Sequence, residues 1–521
     1  MLVATGAAVP RATYGADERQ RVQQRGTLIW GADAEGGGPY VFPRDDAPDQ
    51  LAGFEVELAE QLAKHLGVRA QFQQGQWDKL PDLLTRGDID IVLNGYEWRP
   101  EWADRFGTSI PYYVYELQWL ARLGDGAVRE LADLAQPPRD PVGRAGRWRV
   151  AVLAGSAAHD YLAAHHANSV EPVPFDGLTD ALRAVELGTD GLAATLQDLP
   201  GVTFYERGFP GLRRIGPPVG RGYYVILVPR DASELLQAIN DAIVASLRDG
   251  SLRQILSRYG LWTESQQMRA LETDAFGRFD PALSLPPPSS AEPSVPAQSY
   301  VPVRGWHVIR QRSAWLFAGA WMTIQLAVVS MPLAIVLGLG LALGRLYGPG
   351  VLRSVCALYV EIIRGTPLVL QLYVIFFLLP ELGWHMNAFW AAIMGLAMNY
   401  SAYEAEIYRA GLQAIPAGQM EAALALGMSR PLALRRIIIP QATRLVIPPV
   451  TNDFIALFKD TAVCSVITLV ELSKGYYIQA RSTGGVLELG CVTAGLYLAM
   501  SYPLSVMAGY LERRLRAGGT S

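Results

Sequence analysis

Residues 421–440 read EAALALGMSRPLALRRIIIP and lie between hydrophobic stretches near the C-terminus. Pro416, just ahead, suits a helix start, because the N–H it lacks has no partner in a first turn anyway, and Gly427 sits where a short helix would end. Ala422, Ala423 and Ala425 are small enough to let another surface approach the backbone closely. Arg430, Arg435 and Arg436 make the stretch too charged to span lipid. A polar helix pair strung between membrane segments needs water or a docking partner.

Outward from this stretch the chain divides into two unlike parts. Lys and Arg outnumber Asp and Glu by 17 to 10 across residues 301–521 and are outnumbered 28 to 39 across residues 1–300. The first part is an acidic soluble body, and the second is apolar with its arginines gathered in short connections, as in a membrane domain. A strongly basic face for nucleic acid is absent. The three cysteines, Cys356, Cys464 and Cys491, all lie in the apolar half and allow neither a disulfide framework nor a CxxC metal site, so no metal is expected. No GxxxxGK[ST] phosphate loop occurs, so no nucleotide cofactor is expected and any ATP hydrolysis belongs to a partner chain.

In the apolar half, residues 313–344 run for 32 positions without a charge. At about 1.5 Å per residue this exceeds a ~30 Å hydrocarbon core. Further spans are expected near 365–380, 382–403, 445–470 and 489–511, giving five transmembrane helices. With the C-terminus inside, ten basic residues fall in cytoplasmic connections against five outside, the arrangement that positive-inside placement favours. Glu404, Glu406, Asp453, Lys459 and Asp460 lie within or near spans and need partners, and helix–helix pairing is preferred over a solute path.

The soluble half alternates short apolar strands with amphipathic helices, the pattern of an α/β fold. Strands are expected at 27–31, 69–72, 89–93, 149–153, 170–173 and 193–196, with a returning strand at 222–228. Phe54, Leu58, Leu62 and Leu66 recur every four residues as a buried helical face, with Glu55, Glu57, Glu60 and Lys64 turned elsewhere. Helices are also expected at 157–166, 178–187 and 233–247. Two such sets joined by crossing segments predict two lobes around a cleft. Residues 281–302 are rich in Pro, Ser and Ala and read as an extended tether that keeps one domain concentrated near the next.

Two resemblances follow. The spacing Glu421-Ala422-Ala423, Gly427, Ile437 and Pro440 resembles the EAA coupling loop of ABC-importer permeases, which sits in a groove of a cytoplasmic ATPase. The segments GADAEGGGPYVF, LAGFEVELAEQLAKHLGV, WDKLPDLLTRGDIDIVLNG, VAVLAGSAAHDYL and ATLQD resemble periplasmic amino-acid-binding proteins over roughly residues 26–262. Together they imply an N-terminal α/β two-lobed periplasmic-binding-protein fold and a C-terminal all-α membrane domain of the type I ABC-importer permease kind. The expected boundaries are 1–25 for a residual export region, 26–265 for the binding domain with its second lobe about 120–205, 266–304 for the linker, and 305–517 for the permease with its coupling loop at 413–440. The short apolar run after Met1 lacks a basic residue before it, so the start is expected to lie further upstream. Implied partners are a small-molecule amino acid, an ABC ATPase, a second permease copy and the bilayer of a bacterial inner membrane, with the binding domain outside.

By the same resemblance the cleft holds a zwitterion. Asp198 falls at the acid that takes the ammonium, beside Gln197. Ser156 and Ala157 fall where a helix start holds the carboxylate. Trp77 occupies the position of a stacking aromatic, with Tyr40 nearby, or else belongs to the core. Asn94, Gly95 and Glu97 line a strand end, and Asp33 stands where side-chain-selecting acids are found. One departure is plain. The position of the arginine that grips the ligand carboxylate is Trp102, and Arg99 or Arg105 is the candidate substitute. With Asp33, Glu97 and Asp198 together the cleft reads as acidic, which favours a polar or cationic amino acid. A ligand-gated channel on the same bilobed domain is the first alternative, although there the pore segments interrupt the lobes. A dehydratase-like enzyme on that scaffold is the second, and no acid–base pair at diagnostic spacing supports it.

Overall fold

The computed structural model describes residues 18–124, 128–136, 138, 146–263, 266, 300 and 305–517. The expected export region therefore lies outside the described residues up to position 17, as does the linker apart from Gln266 and Tyr300. Two compact units emerge, one drawn mainly from the chain before residue 312 and the other from residues 312–476 and 487 onward.

The first unit opens with α1 (Glu18–Arg25), β1 (Thr27–Ala32), β2 (Phe42–Pro43), β3 (Leu51–Ala52) and α2 (Phe54–His65). It continues with β4 (Arg69–Gln74), α3 (Leu80–Arg86), β5 (Ile91–Val92), α4 (Pro100–Arg105) and β6 (Phe106–Thr108). Helix α1 belongs to this fold, not to an export region, because Val22 is buried and Arg25 pairs with Asp90. Strand β1 lies parallel to β4, with Thr27 opposite Arg69 and Ala32 opposite Gln74, and also parallel to β5. Phe54, Leu58 and Leu62 make the buried face of α2, as the four-residue spacing predicts. Glu55 departs from that pattern. It is fully buried rather than turned to solvent, because its carboxylate takes donors from the loop after β5.

The chain then crosses to a second sheet through β7 (Tyr113–Arg122), α5 (Leu131–Ala135), β8 (Trp148–Leu153), α6 (Ala157–His165) and β9 (Val170–Phe175). It runs on through α7 (Leu178–Leu187), β10 (Leu192–Asp198), α8 (Leu199–Tyr205), β11 (Leu212–Arg214) and β12 (Val219–Tyr224). It returns to the first sheet by β13 (Leu227–Pro229) and closes with α9 (Ser233–Arg248) and α10 (Ser251–Arg258). The sheet orders are β4-β1-β5-β13-β6 and β11-β7-β10-β8-β9, with β12 also on β7. The expected single returning strand is thus two strands, one per sheet. The second sheet starts at Tyr113 and ends at Tyr224, wider than 120–205 at both ends.

Two crossings join the lobes. Ser109 N–H donates to Ile226 O at 2.9 Å, Tyr112 N–H to Tyr224 O at 3.1 Å, and Trp98 N–H to Tyr223 O at 2.7 Å. Glu97 and Arg99 bond to Ala157 N–H and Gly155 O at the start of α6.

The second unit is helical. Its helices include Trp306–Tyr347, Gly350–Gly365, Leu368–Tyr373, Ala388–Gln413, Ala417–Ala425, Arg430–Ala433, Ile439–Asp460 and Val486–Ala517. Among the described residues Trp306–Tyr347 and Val486–Tyr510 are long and apolar enough to cross a membrane, and the bent pair Gly350–Gly365 with Leu368–Leu382 passes the same test together. Glu406 pairs with Arg345 and, at 2.7 Å, with Arg409, and Tyr400 OH donates to Asp460 at 2.7 Å. Charges near spans are thereby joined helix to helix.

Candidate binding cleft and coupling segment

Strands ending at the same edge bring the cleft together. β1 ends at Ala32, β5 at Val92 and β10 at Asp198, and each delivers polar residues to the space between the sheets. Asp33 is buried, and its carboxylate accepts from Gln74 Nε2 at 2.7 Å, Glu35 N at 3.0 Å and Trp77 N at 3.1 Å. These three donors tie its carboxylate to the loops of the first lobe. Asn94 accepts from Asp33 N at 2.8 Å, and Gly95, at φ +59°, donates its N–H to Glu55 at 2.6 Å. Tyr112 OH also donates to Glu55, while burial pushes that carboxyl up to about 7.

Trp77 donates Nε1–H to Asn94 O at 2.9 Å, and its ring stacks on Tyr96 at 4.9 Å. The half-buried ring is therefore part of the wall, held from behind. Tyr40 and Tyr224 share a hydrogen bond of 2.9 Å, and Tyr224 OH donates to Asp198. Tyr115 stacks on Tyr224 with centroids 4.8 Å apart. Burial raises Asp198 to about 6, against the lowering effect of the two tyrosine hydroxyls. Gln197 is buried and donates to Thr195 Oγ1 at 2.8 Å within its own sheet.

On the facing side Ser156 caps α6, its Oγ accepting from His159 N at 3.5 Å while donating to Leu153 O at 2.8 Å. Ala157 N–H donates to Glu97 Oε1 at 2.8 Å. Arg99 donates to Glu97 Oε2 at 2.8 Å and to Gly155 O at 3.0 Å, and pairs with Asp160 at 3.1 Å. Burial first, and then the charge of Asp198, raises Glu97 to about 7, so the two carboxylates sense each other. Trp102 sits in an aromatic cluster, 5.9 Å from both Tyr96 and Phe106, and Arg105 covers that cluster at 5.2 Å from the Phe106 ring. Of the two candidate substitutes, Arg99 reaches the start of α6 and Arg105 packs with Trp102. Tyr115, Tyr224 and Glu55 lay outside the sequence-based site. The adjacent tyrosines of 112–115 and 223–224 were the available signal, because alternate members of a strand share one face.

In the second unit the helix Ala417–Ala425 begins after Pro416, and Gly427 follows it at φ +79°. Gly427 N–H donates to Leu424 O at 3.0 Å and Met428 N–H to Ala423 O at 3.1 Å, which ends the helix in a left-handed cap. Glu421 and Ala422 are exposed, and Leu426 is 82% exposed. Ala423 is buried, and the next turn runs through Ile437 toward Pro440, at the start of Ile439–Asp460. The open face therefore consists of Glu421, Ala422, Leu424 and Leu426, with Ala423 packed beneath it.

Comparison with known proteins agrees with this division. Residues 29–261 match the bacterial extracellular solute-binding proteins, family 3, and residues 334–517 match the binding-protein-dependent transport system inner membrane component. The chain is similar to the L-cystine transport system permease protein TcyB of Bacillus subtilis, 38% identical over 213 residues, covering 40% of this chain and 91% of that protein. It is similar to the glutamine transport system permease protein GlnP of Escherichia coli K12, 34% identical over 213 residues, covering 40% and 97%. A solved structure described as an amino acid ABC transporter with histidines aligns with a TM-score of 0.39 at 35% identity, covering 40% of this chain and 98% of that one.

Proposed function

Since the chain belongs to the family of binding-protein-dependent transport system inner membrane components, we propose that it is the receptor and the permease of an amino-acid importer fused in one polypeptide. The observation that carries this reading is the presence in one chain of a two-sheet cleft, with Asp198 at its edge, and an apolar helical unit that presents an exposed turn around Gly427. Ligand closes the lobes, the closed receptor engages the permease, and a separate ATPase grips residues 413–440 to reopen the pathway. The chain itself makes and breaks no covalent bond.

The solute favoured is a polar or cationic amino acid, because Asp198 is a half-buried acid whose hydrogen-bond partners among the described residues are tyrosine hydroxyls. Tyr40, Trp77, Tyr115 and Tyr224 supply its walls. We place five spans in an inner membrane, with the receptor outside and the C-terminus in the cytoplasm, and two permease copies around one path. The relatives named for L-cystine and glutamine transport support the solute class. Uptake of labelled arginine, lysine, glutamine and histidine by vesicles holding this chain and its ATPase tests the reading. ATP-dependent accumulation of at least one, lost in Asp198→Asn, is expected. Accumulation at full rate in Asp198→Asn, or of none of the four, contradicts it.

A further inference from the structure

The composition of residues 281–302 suits a free tether, yet both described residues of the linker, Gln266 and Tyr300, are seated on the receptor lobes. The Gln266 side chain is buried and bonds both backbone groups of Val114 on β7. Val114 N–H donates to Gln266 Oε1 at 3.2 Å, and Gln266 Nε2 donates to Val114 O at 2.7 Å. Tyr300 is 4% exposed, so its ring belongs to the second lobe's interior rather than to a solvated chain. Its N–H donates at 2.9 Å to Phe204 O, a carbonyl in the last turn of α8. The ring lies 4.9 Å from that of Tyr205 and stacks on Phe209 at 6.4 Å. Leu120, Leu182 and Val202 complete the cluster.

The same two residues of α8 carry a contact between the lobes. Gly38, in the loop between β1 and β2 of the first lobe, donates its N–H to Tyr205 OH at 2.9 Å. Phe42 of the first lobe lies 5.1 Å from Phe204, centroid to centroid. The close approach requires glycine: a Cβ on Gly38 would overlap the Phe204 ring, and one on Gly37, at φ +80°, would overlap the Tyr205 hydroxyl. Tyr205 thus meets the first lobe with its hydroxyl and the linker with its ring.

We propose that the tether doubles as a latch on the receptor: Tyr300, packed against Phe204, Tyr205 and Phe209, holds α8 in the position that engages the Gly37–Gly38 loop and so favours the shut arrangement of the lobes. The physical basis is differential contact. Tyr205 OH and Phe204 reach Gly38 and Phe42 only when the lobes are together, so whatever fixes α8 biases the equilibrium toward that state. Without Tyr300, Phe204 O loses this donor and two buried aromatic rings lose an apolar neighbour. A larger shut fraction before solute arrives raises apparent affinity in proportion.

The test measures hydrogen–deuterium exchange of the full chain in lipid nanodiscs without solute, so its outcome is independent of the importer reading. Tyr300→Ala is expected to speed exchange at least ten-fold across residues 35–41 and 204–209, while β8 and β9 keep the wild-type rate. Tyr300→Phe retains the ring and should match the wild type. Tyr205→Phe removes the acceptor of Gly38 and keeps the linker contact, so it should speed exchange across 35–41 alone. Wild-type exchange across 35–41 in Tyr300→Ala overturns the latch. Equal acceleration over β8 and β9 overturns it too, because Tyr300 would then be an ordinary core residue of the second lobe. Unchanged exchange across 35–41 in Tyr205→Phe overturns it from the other side, whether or not Tyr300→Ala folds.

Discussion

At the scale of single residues the cleft is a set of carboxylates with different neighbours. Asp33 is satisfied by three donors of its own lobe, Glu55 by Gly95 N–H and Tyr112 OH, and Glu97 by Ala157 N–H and Arg99. Asp198 is hydrogen-bonded, among the described residues, by tyrosine hydroxyls. Replacing Asp198 by Asn should therefore lower ligand affinity by about 100-fold, measured calorimetrically, since loss of a desolvated charge partner costs roughly 2–5 kcal/mol. Affinity should also depend on pH. With Asp198 raised to about 6 and Glu97 to about 7, acidification from pH 8 to pH 5 protonates both, and binding of a cationic ligand should weaken across that interval. Stability runs the other way. Glu55, Glu97 and Asp198 keep protons in the folded state that the unfolded chain releases near its ordinary carboxylate range, so their contribution to stability falls as pH rises from about 4 to about 7. Glu55→Gln should flatten that slope in thermal melts recorded without ligand.

At the scale of elements, the proposed coupling role of residues 413–440 depends on the left-handed turn after Ala417–Ala425. A side chain at Gly427 meets no neighbouring atom, so the penalty is conformational, about 1–2 kcal/mol for a branched residue at φ +79°. Gly427→Val should leave ligand affinity unchanged and reduce uptake at least ten-fold, and retained uptake would remove this turn from the mechanism. Crosslinks to an ATPase should come from Ala422 or Leu426, which are exposed, and not from buried Ala423. In the receptor, Leu58 and Leu62 on α2 are fully buried, and Leu58→Ala should cost about 2–5 kcal/mol of unfolding free energy. Elements of this kind were readable because burial imposes a period. The four-residue spacing marked α2, Pro416 and Gly427 bracketed the short helix, and apolar runs marked β8 and β10. Glu55 defied the pattern because a buried acid is justified by donors 40 residues away, which spacing along one helix does not encode.

At the scale of the whole chain, the division into an acidic soluble part and an apolar part with clustered arginines was legible from charge and hydropathy alone. The site was legible only in part. Positions 33, 94–99, 156–157 and 198 were singled out by the resemblance to amino-acid-binding proteins, and their part in ligand binding is a proposal. The partners within that set were not singled out, since the Glu97–Ala157 contact and the Tyr224–Asp198 contact join residues from different lobes or distant strands. The same distance in sequence hid the commitment of Arg99 to Glu97 and Asp160. On this reading one polypeptide both captures the solute and passes it through the membrane. The most direct test is ligand-stimulated ATP hydrolysis in proteoliposomes that contain this chain and its ATPase and no separate binding protein. Stimulation that disappears in Asp198→Asn is predicted. Stimulation that requires an added soluble binding protein, or that survives Asp198→Asn at full strength, would contradict the account.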